Sequence, residues 1–153
     1  MKTDSARGVA GPRKLRLAAE DAVDLTIISA AVQDSVAQIG DLRFEAAARR
    51  LVLLLNRYRW ESGDGLTGER VRAALQLSGV LSVKAKRLRR EPKDAVVSLL
   101  SIDFHPGDAP GGEITLTFAG GGELSCAVEC IDVMLADVSA PWPTRRRPSH
   151  DLN

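Results

Sequence analysis

The chain has 153 residues, 44% hydrophobic and 27% charged, with 21 lysines and arginines against 20 aspartates and glutamates for a net charge of +1. That length suits one domain burying roughly two-thirds of its unfolded surface. The balanced charge disfavours a generic nucleic-acid binder, which carries a basic excess. The longest unbroken apolar run, Leu51 to Leu55, falls far short of a bilayer span, and no apolar leader accompanies the N-terminal basic residues. The expectation is a cytoplasmic protein with no membrane role.

Residues 1–13 mix glycine, serine and charge without periodicity and read as a disordered segment. Residues 14–140 read as a single domain. Leu15 and Leu17 alternate with Lys14 and Arg16, which suits a short edge strand. Asp21 is a natural helix N-cap, with Asp24 in the capping-box position. Leu25, Ile28, Ala31 and Val32 then predict a helix from Ala22 to about Ser35. After a bend at Gly40, Leu42 and Phe44 alternate with Asp41, Arg43 and Glu45. Ala46 to Arg49 reads as a turn.

Arg50 to Trp60 is the strongest strand of the first half. Leu51, Leu53 and Leu55 share one face; Val52, Leu54, Tyr58 and Trp60 share the other. Both faces are apolar at its start, which places it centrally in a sheet. A flexible loop from Ser62 to Gly68 follows, then alternating runs from Val71 to Leu77 and Leu81 to Ala85. Pro92 interrupts a charged loop. Val96 to Phe104 returns to strand, with Leu100, Ile102 and Phe104 on one face. Ile114, Leu116 and Phe118, then Leu124, Cys126, Val128 and Cys130, form a hairpin about Gly120-Gly121-Gly122. Ile131, Met134, Leu135 and Val138 stand at i, i+3, i+4 and i+7, which predicts a C-terminal helix. Pro141 and Pro143 end it.

The sum is an α+β fold: about seven antiparallel strands in a strongly bent sheet or partial barrel, with one N-terminal and one C-terminal helix. Its order of elements is pleckstrin-homology-like. No βαβ alternation supports a doubly wound sheet. Residues 141–153 form a polar tail, packed through Trp142 because a free tail rarely carries tryptophan.

Three surfaces are candidates for function. Arg57, Arg59, Trp60 and Glu61 end a strand with alternating cationic and aromatic groups, a common composition for recognition. The plainer alternative has Tyr58 and Trp60 finishing the core while the arginines face water. The tail joins Trp142 to Arg145, His150 and Asp151. The basic run Lys84, Lys86, Arg87, Arg89, Arg90 and Lys93 could grip phosphates, or could only guard a strand edge against aggregation. No aromatic interleaves that run for base stacking. For catalysis, Asp103 and His105 share a strand face and His150 adjoins Asp151, but no nucleophile elbow, phosphate loop or metal-binding spacing accompanies them. The catalytic residues are thus unassigned. Cys126 and Cys130 lie about 13 Å apart on an extended strand, too far to bond, and read as reduced core groups. No metal or cofactor is expected.

The run from Leu25 to Phe44 containing IISAAVQDSVAQIGDLRF, NRYRWE from Asn56, FAGGGEL from Phe118, and ECIDVMLADV leading into PWPTRRRPSHDL resemble a bacterial domain-of-unknown-function family, DUF2948. The resemblance spans nearly the whole chain from Leu15. It implies a small, cytoplasmic, single-domain protein and assigns no activity, cofactor or site residue. The leading expectation is a non-enzymatic binding or adaptor module with an unidentified protein partner, or with itself as a homodimer. RNA or phosphate binding through Lys84 to Lys93 and a small enzyme using His105 or His150 are the alternatives.

Overall fold

Alternating burial along one long strand sets the inside and outside of this molecule. The computed structural model describes residues 14–62 and 68–144. In β4 (Arg50–Tyr58), Leu51, Leu53 and Leu55 are buried while Val52 and Leu54 are only partly covered. The odd-numbered face is therefore the inner one. The same alternation recurs in β5 (Gly68–Ser78), where Val71, Ala73, Leu75 and Leu77 are buried.

Besides β4, β5 and three short 3-10 turns (Ile39–Asp41, Ala46–Ala48 and Trp60–Ser62), the described residues form the helix α1 (Ala22–Ala31) and the strands β1 (Arg16–Ala19), β2 (Ser35–Gln38), β3 (Leu42–Glu45), β6 (Val80–Lys86), β7 (Val96–Pro106), β8 (Gly112–Phe118), β9 (Glu123–Val128), β10 (Val133–Asp137) and β11 (Trp142–Thr144). The strands build one antiparallel sheet in the order β1-β10-β5-β4-β2-β7-β8-β9-β6, with β3 added to β4 and β11 added to β5. Consecutive strands β5 and β6 stand far apart in that order, although only Gly79 separates them. The chain turns a corner there, with Gly79 at φ +68°, a left-handed conformation that glycine adopts freely. The sheet curls so that Leu53, Leu75 and Leu135 of one half share a core with Ile114, Leu116 and Cys126 of the other. It does not close: β1 and β6 are its ends. The α+β class and the bent sheet are as expected.

Helix α1 begins where its cap predicts. The Asp21 carboxylate accepts the Asp24 backbone N–H at 2.8 Å. Leu25 and Ile28 pack into the core, while Val23 and Ile27 face outward. The helix stops at Ala31, short of Ser35, because Asp34 turns at φ +62° and its N–H bonds Leu99 O. That contact starts β2 on its pairing with β7.

The predicted C-terminal helix is absent. Residues 133–137 form β10, sandwiched between β1 and β5, so the pleckstrin-homology-like order of elements goes with it. Val133, Leu135 and Asp137 face inward and Met134 and Ala136 outward. This period of two fits the stretch as well as the helical spacing does, and pairing with two neighbours decides between them. There are eleven described strands against about seven expected, and β2, β10 and β11 are the ones not anticipated as strands. On β7 the expected face is broken by a bulge between Leu99 and Ser101. Leu99 and Ile102 are buried and Leu100 is exposed. Cys126 lies on the inner face, where burial, joined by the Glu113 charge, pushes its thiol up to about 12. Cys130 sits beyond the end of β9, half-buried, and both thiols are free.

Candidate functional site

The end of β4 is built otherwise than its alternation of arginines and aromatics implies. Arg57 does not face water: it is 0% exposed. It continues the inner face of Leu51, Leu53 and Leu55. Asp137 continues the inner face of β10, and the register across β5 sets the two diagonally (Arg57 opposite Val71, Asp137 opposite Ala73). Arg57 Nε and Nη2 donate to Asp137 Oδ1 and Oδ2, each at 2.9 Å. Nη1 and Nη2 donate to Glu61 Oε1 at 3.0 Å and Oε2 at 2.6 Å, and Nη1 also reaches Tyr58 O at 3.4 Å. All five N–H groups are thereby engaged. Burial works against the guanidinium charge, but the bonds to Glu61 and Asp137 outweigh it and raise the pKa. Burial likewise opposes the Glu61 charge, and the Arg57 bonds hold its carboxyl below the ordinary value of 4.5. With every donor occupied, Arg57 has none left for a ligand. It is a clasp, binding β4 to β10 and, through the Leu15 N–H on Asp137 Oδ2 at 2.8 Å, to the entry of β1.

Around this clasp the fold gathers residues that stand apart in sequence. Arg59 pairs with Glu69 and approaches Glu61 at 3.7 Å. Trp60 opens a short 3-10 turn and meets Tyr58 edge-on at 4.7 Å between ring centroids, its indole N–H donating to Gln33 O at 3.3 Å. Trp142, on β11, stands opposite Arg70, which stands opposite Tyr58. The Arg70 guanidinium lies 5.9 Å from the Tyr58 ring centroid, within cation–π reach. The Arg57–Glu61 stretch and Trp142 are thus neighbours across three strands. Trp142 remains 38% exposed. The other expected tail residues, Arg145, His150 and Asp151, and the segment 1–13 lie outside the described residues.

The basic run has a different setting. Lys84 and Lys86 project outward from β6, opposite Ser125 and Glu123 of β9. On the inner face Val83 and Ala85 stand opposite Cys126 and Leu124, yet neither is buried. No strand among the described residues lies beyond β6 to cover them. The same holds across from them on β3. Leu42 and Phe44 pair with Leu53 and Leu51 and so face the core, yet Phe44 is 38% exposed. Between β3 and β6 runs a slot of about 280 Å³, with Leu124 and Ile39 completing its apolar lining.

Leu88, Arg89, Arg90 and Lys93, from the connection after β6, also line it. Arg89 and Arg90 have no ion-pair partner among the described residues, and Lys93 has only an exposed contact with Glu91 at 3.5 Å. Both ends are stitched by backbone bonds: Val80 N–H to Arg49 O at 2.9 Å, and Gly40 N–H to Lys93 O at 2.7 Å. Chemically, this is the open flank of the hydrophobic core with cations at its edge. Sequence reasoning identified the cations but missed Leu42, Phe44, Leu88 and Leu124. The alternation of Leu42 and Phe44 was the one available signal, and nothing local ties it to a run forty residues away.

Asp103 and His105 are both exposed on β7, where Asp103 accepts the Ser101 hydroxyl at 3.1 Å. Among the described residues, no three histidine, cysteine or acidic side chains come together as metal ligands. No described helix is long and apolar enough to cross a membrane.

No curated protein and no solved structure matches the chain. One family model does, over residues 15–150, described as protein of unknown function (DUF2948). The match covers the clasp, the slot and all but the ends of the chain, and the protein belongs to that family.

Proposed function

We propose that this protein is a non-enzymatic binding module that captures a partner combining negative charge with an apolar group. Its receiving site is the slot between β3 and β6. The observation that carries this reading is that Phe44, core-facing on the edge strand β3, is left 38% exposed and lines one slot with the half-buried Val83 of β6 and with Arg89, Arg90 and Lys93. A slot of about 280 Å³ takes up a large apolar side chain or a short aliphatic segment. The cations at its edge supply orientation and attraction. The two free thiols suit a reducing compartment such as the cytoplasm.

The test is titration with 1-anilinonaphthalene-8-sulfonate, an apolar anion of suitable size. Saturable binding to the folded chain is expected, weakened about tenfold by Arg89→Glu with Arg90→Glu and weakened also by added salt. Absence of saturable binding, or equal binding by the doubly substituted chain, refutes the reading. The thermal transition of each variant shows whether the fold is retained.

A second reading has one observation in its favour. Phe44 brings to the basic run the stacking face that the run itself lacks, which suits single-stranded RNA. Oligouridylate that displaces the dye and binds more tightly than any acidic ligand would favour it.

A further inference from the structure

Resting on the slot reading, we infer that its occupant is an extended acidic peptide segment of another protein, which adds to the free edge of β6 as a further strand. Three observations converge on this. First, β6 ends the strand order, so beyond the Val80–Arg49 stitch its outer edge offers backbone groups to a newcomer. Second, the inner face at that edge is apolar and only partly covered: half-buried Val83 and exposed Ala85 of β6 line the slot together with exposed Phe44 of β3. Third, the outer face at the same edge carries Lys84 and Lys86, both exposed. A strand laid there places alternate side chains on opposite faces. One set meets the slot and the other meets the lysines. The preferred guest therefore alternates apolar and acidic residues.

The same lysines argue against a second copy of this chain. Pairing β6 with β6 would bring Lys84 and Lys86 against their own counterparts, and like charges across a ladder repel. Recognition of the guest and refusal of self-association come from one pair of residues. A base-stacking ligand uses Phe44 but has no need of an unpaired strand edge, and a fatty acid has no use for its alternation.

The experiment pans a library of random short peptides against the full chain, with the Lys84→Glu, Lys86→Glu chain as counter-selector. The enriched peptides should alternate apolar with acidic residues. A synthetic copy of the strongest should bind the wild-type chain about tenfold more tightly than the substituted one. N-methylation along that peptide then separates backbone pairing from side-chain capture. Methyl groups on one alternate set should abolish binding, while those on the other leave it within about twofold. Failure of any peptide to enrich, equal tolerance of both methylated sets, or capture of oleate or oligouridylate in place of peptides overturns strand addition. Dye binding that persists alongside such a failure leaves the slot reading intact; loss of dye binding removes both.

Discussion

A buried arginine costs free energy unless its charge is matched, and Arg57 is matched twice. Asp137, whose side chain is 1% exposed, shares two bonds with it. Removing one partner of such a pair strands the other, at a cost of about 3–5 kcal/mol, whereas replacing both with apolar groups of similar volume is often near neutral. Asp137→Ala should therefore destabilise the fold by about that amount in urea denaturation, and Arg57→Met with Asp137→Leu should cost less than the single change. A larger loss in the double variant would contradict the clasp. Glu61 has a pH signature of its own. Its folded pKa is depressed, so its contribution is complete above the ordinary value of 4.5 and is lost as pH falls through the lower folded value. Glu61→Gln should flatten that acid limb of the stability profile and leave the neutral region without a new slope.

Among the elements, those whose neighbours are close in sequence were legible from sequence: α1 with its Asp21 cap, and the β8–β9 hairpin about Gly120 and Gly121, both at positive φ. Strand β10 was not. Ile131, Met134, Leu135 and Val138 suit a helix, while Val133, Leu135 and Asp137 suit a strand. So short a run cannot settle its own period. Pairing with β1 and β5, respectively more than a hundred and more than fifty residues away, settles it. The same blindness hid Arg57, because its ion pair becomes visible only once Asp137 lies on a strand.

Two glycines separate conformation from packing at this scale. Gly120 has φ +90° and open space around a notional Cβ, so Gly120→Ala should cost about 1–2 kcal/mol. At Gly68 a Cβ would collide with Tyr58 Oη on a fully buried ring. Gly68→Ala should cost about 3 kcal/mol, and much less once Tyr58→Leu has removed the ring. Additive losses in that pair would show that the clash is not the cause.

For the molecule as a whole, the curl places the two ends of the charge problem at opposite fates. The inner-face cation beside Asp137, Arg57, is neutralised and locked in, whereas those beside β6 are left to solvent, so a net charge of +1 conceals a local excess. A ligand in the slot binds only the folded chain and should raise its stability by about 2.7 kcal/mol at a hundred times the dissociation constant. The 1-anilinonaphthalene-8-sulfonate complex should therefore melt later than the free protein, and the Arg89→Glu, Arg90→Glu chain should show little of that gain. The stitches at Val80–Arg49 and Gly40–Lys93 carry a further consequence. They leave no way to thread a chain lengthwise from one mouth to another. The peptide inferred above would then descend broadside from solvent and depart the same way, its flanks lifting clear at either end, so an exposed extended stretch within a longer chain would be as admissible as a loose terminus.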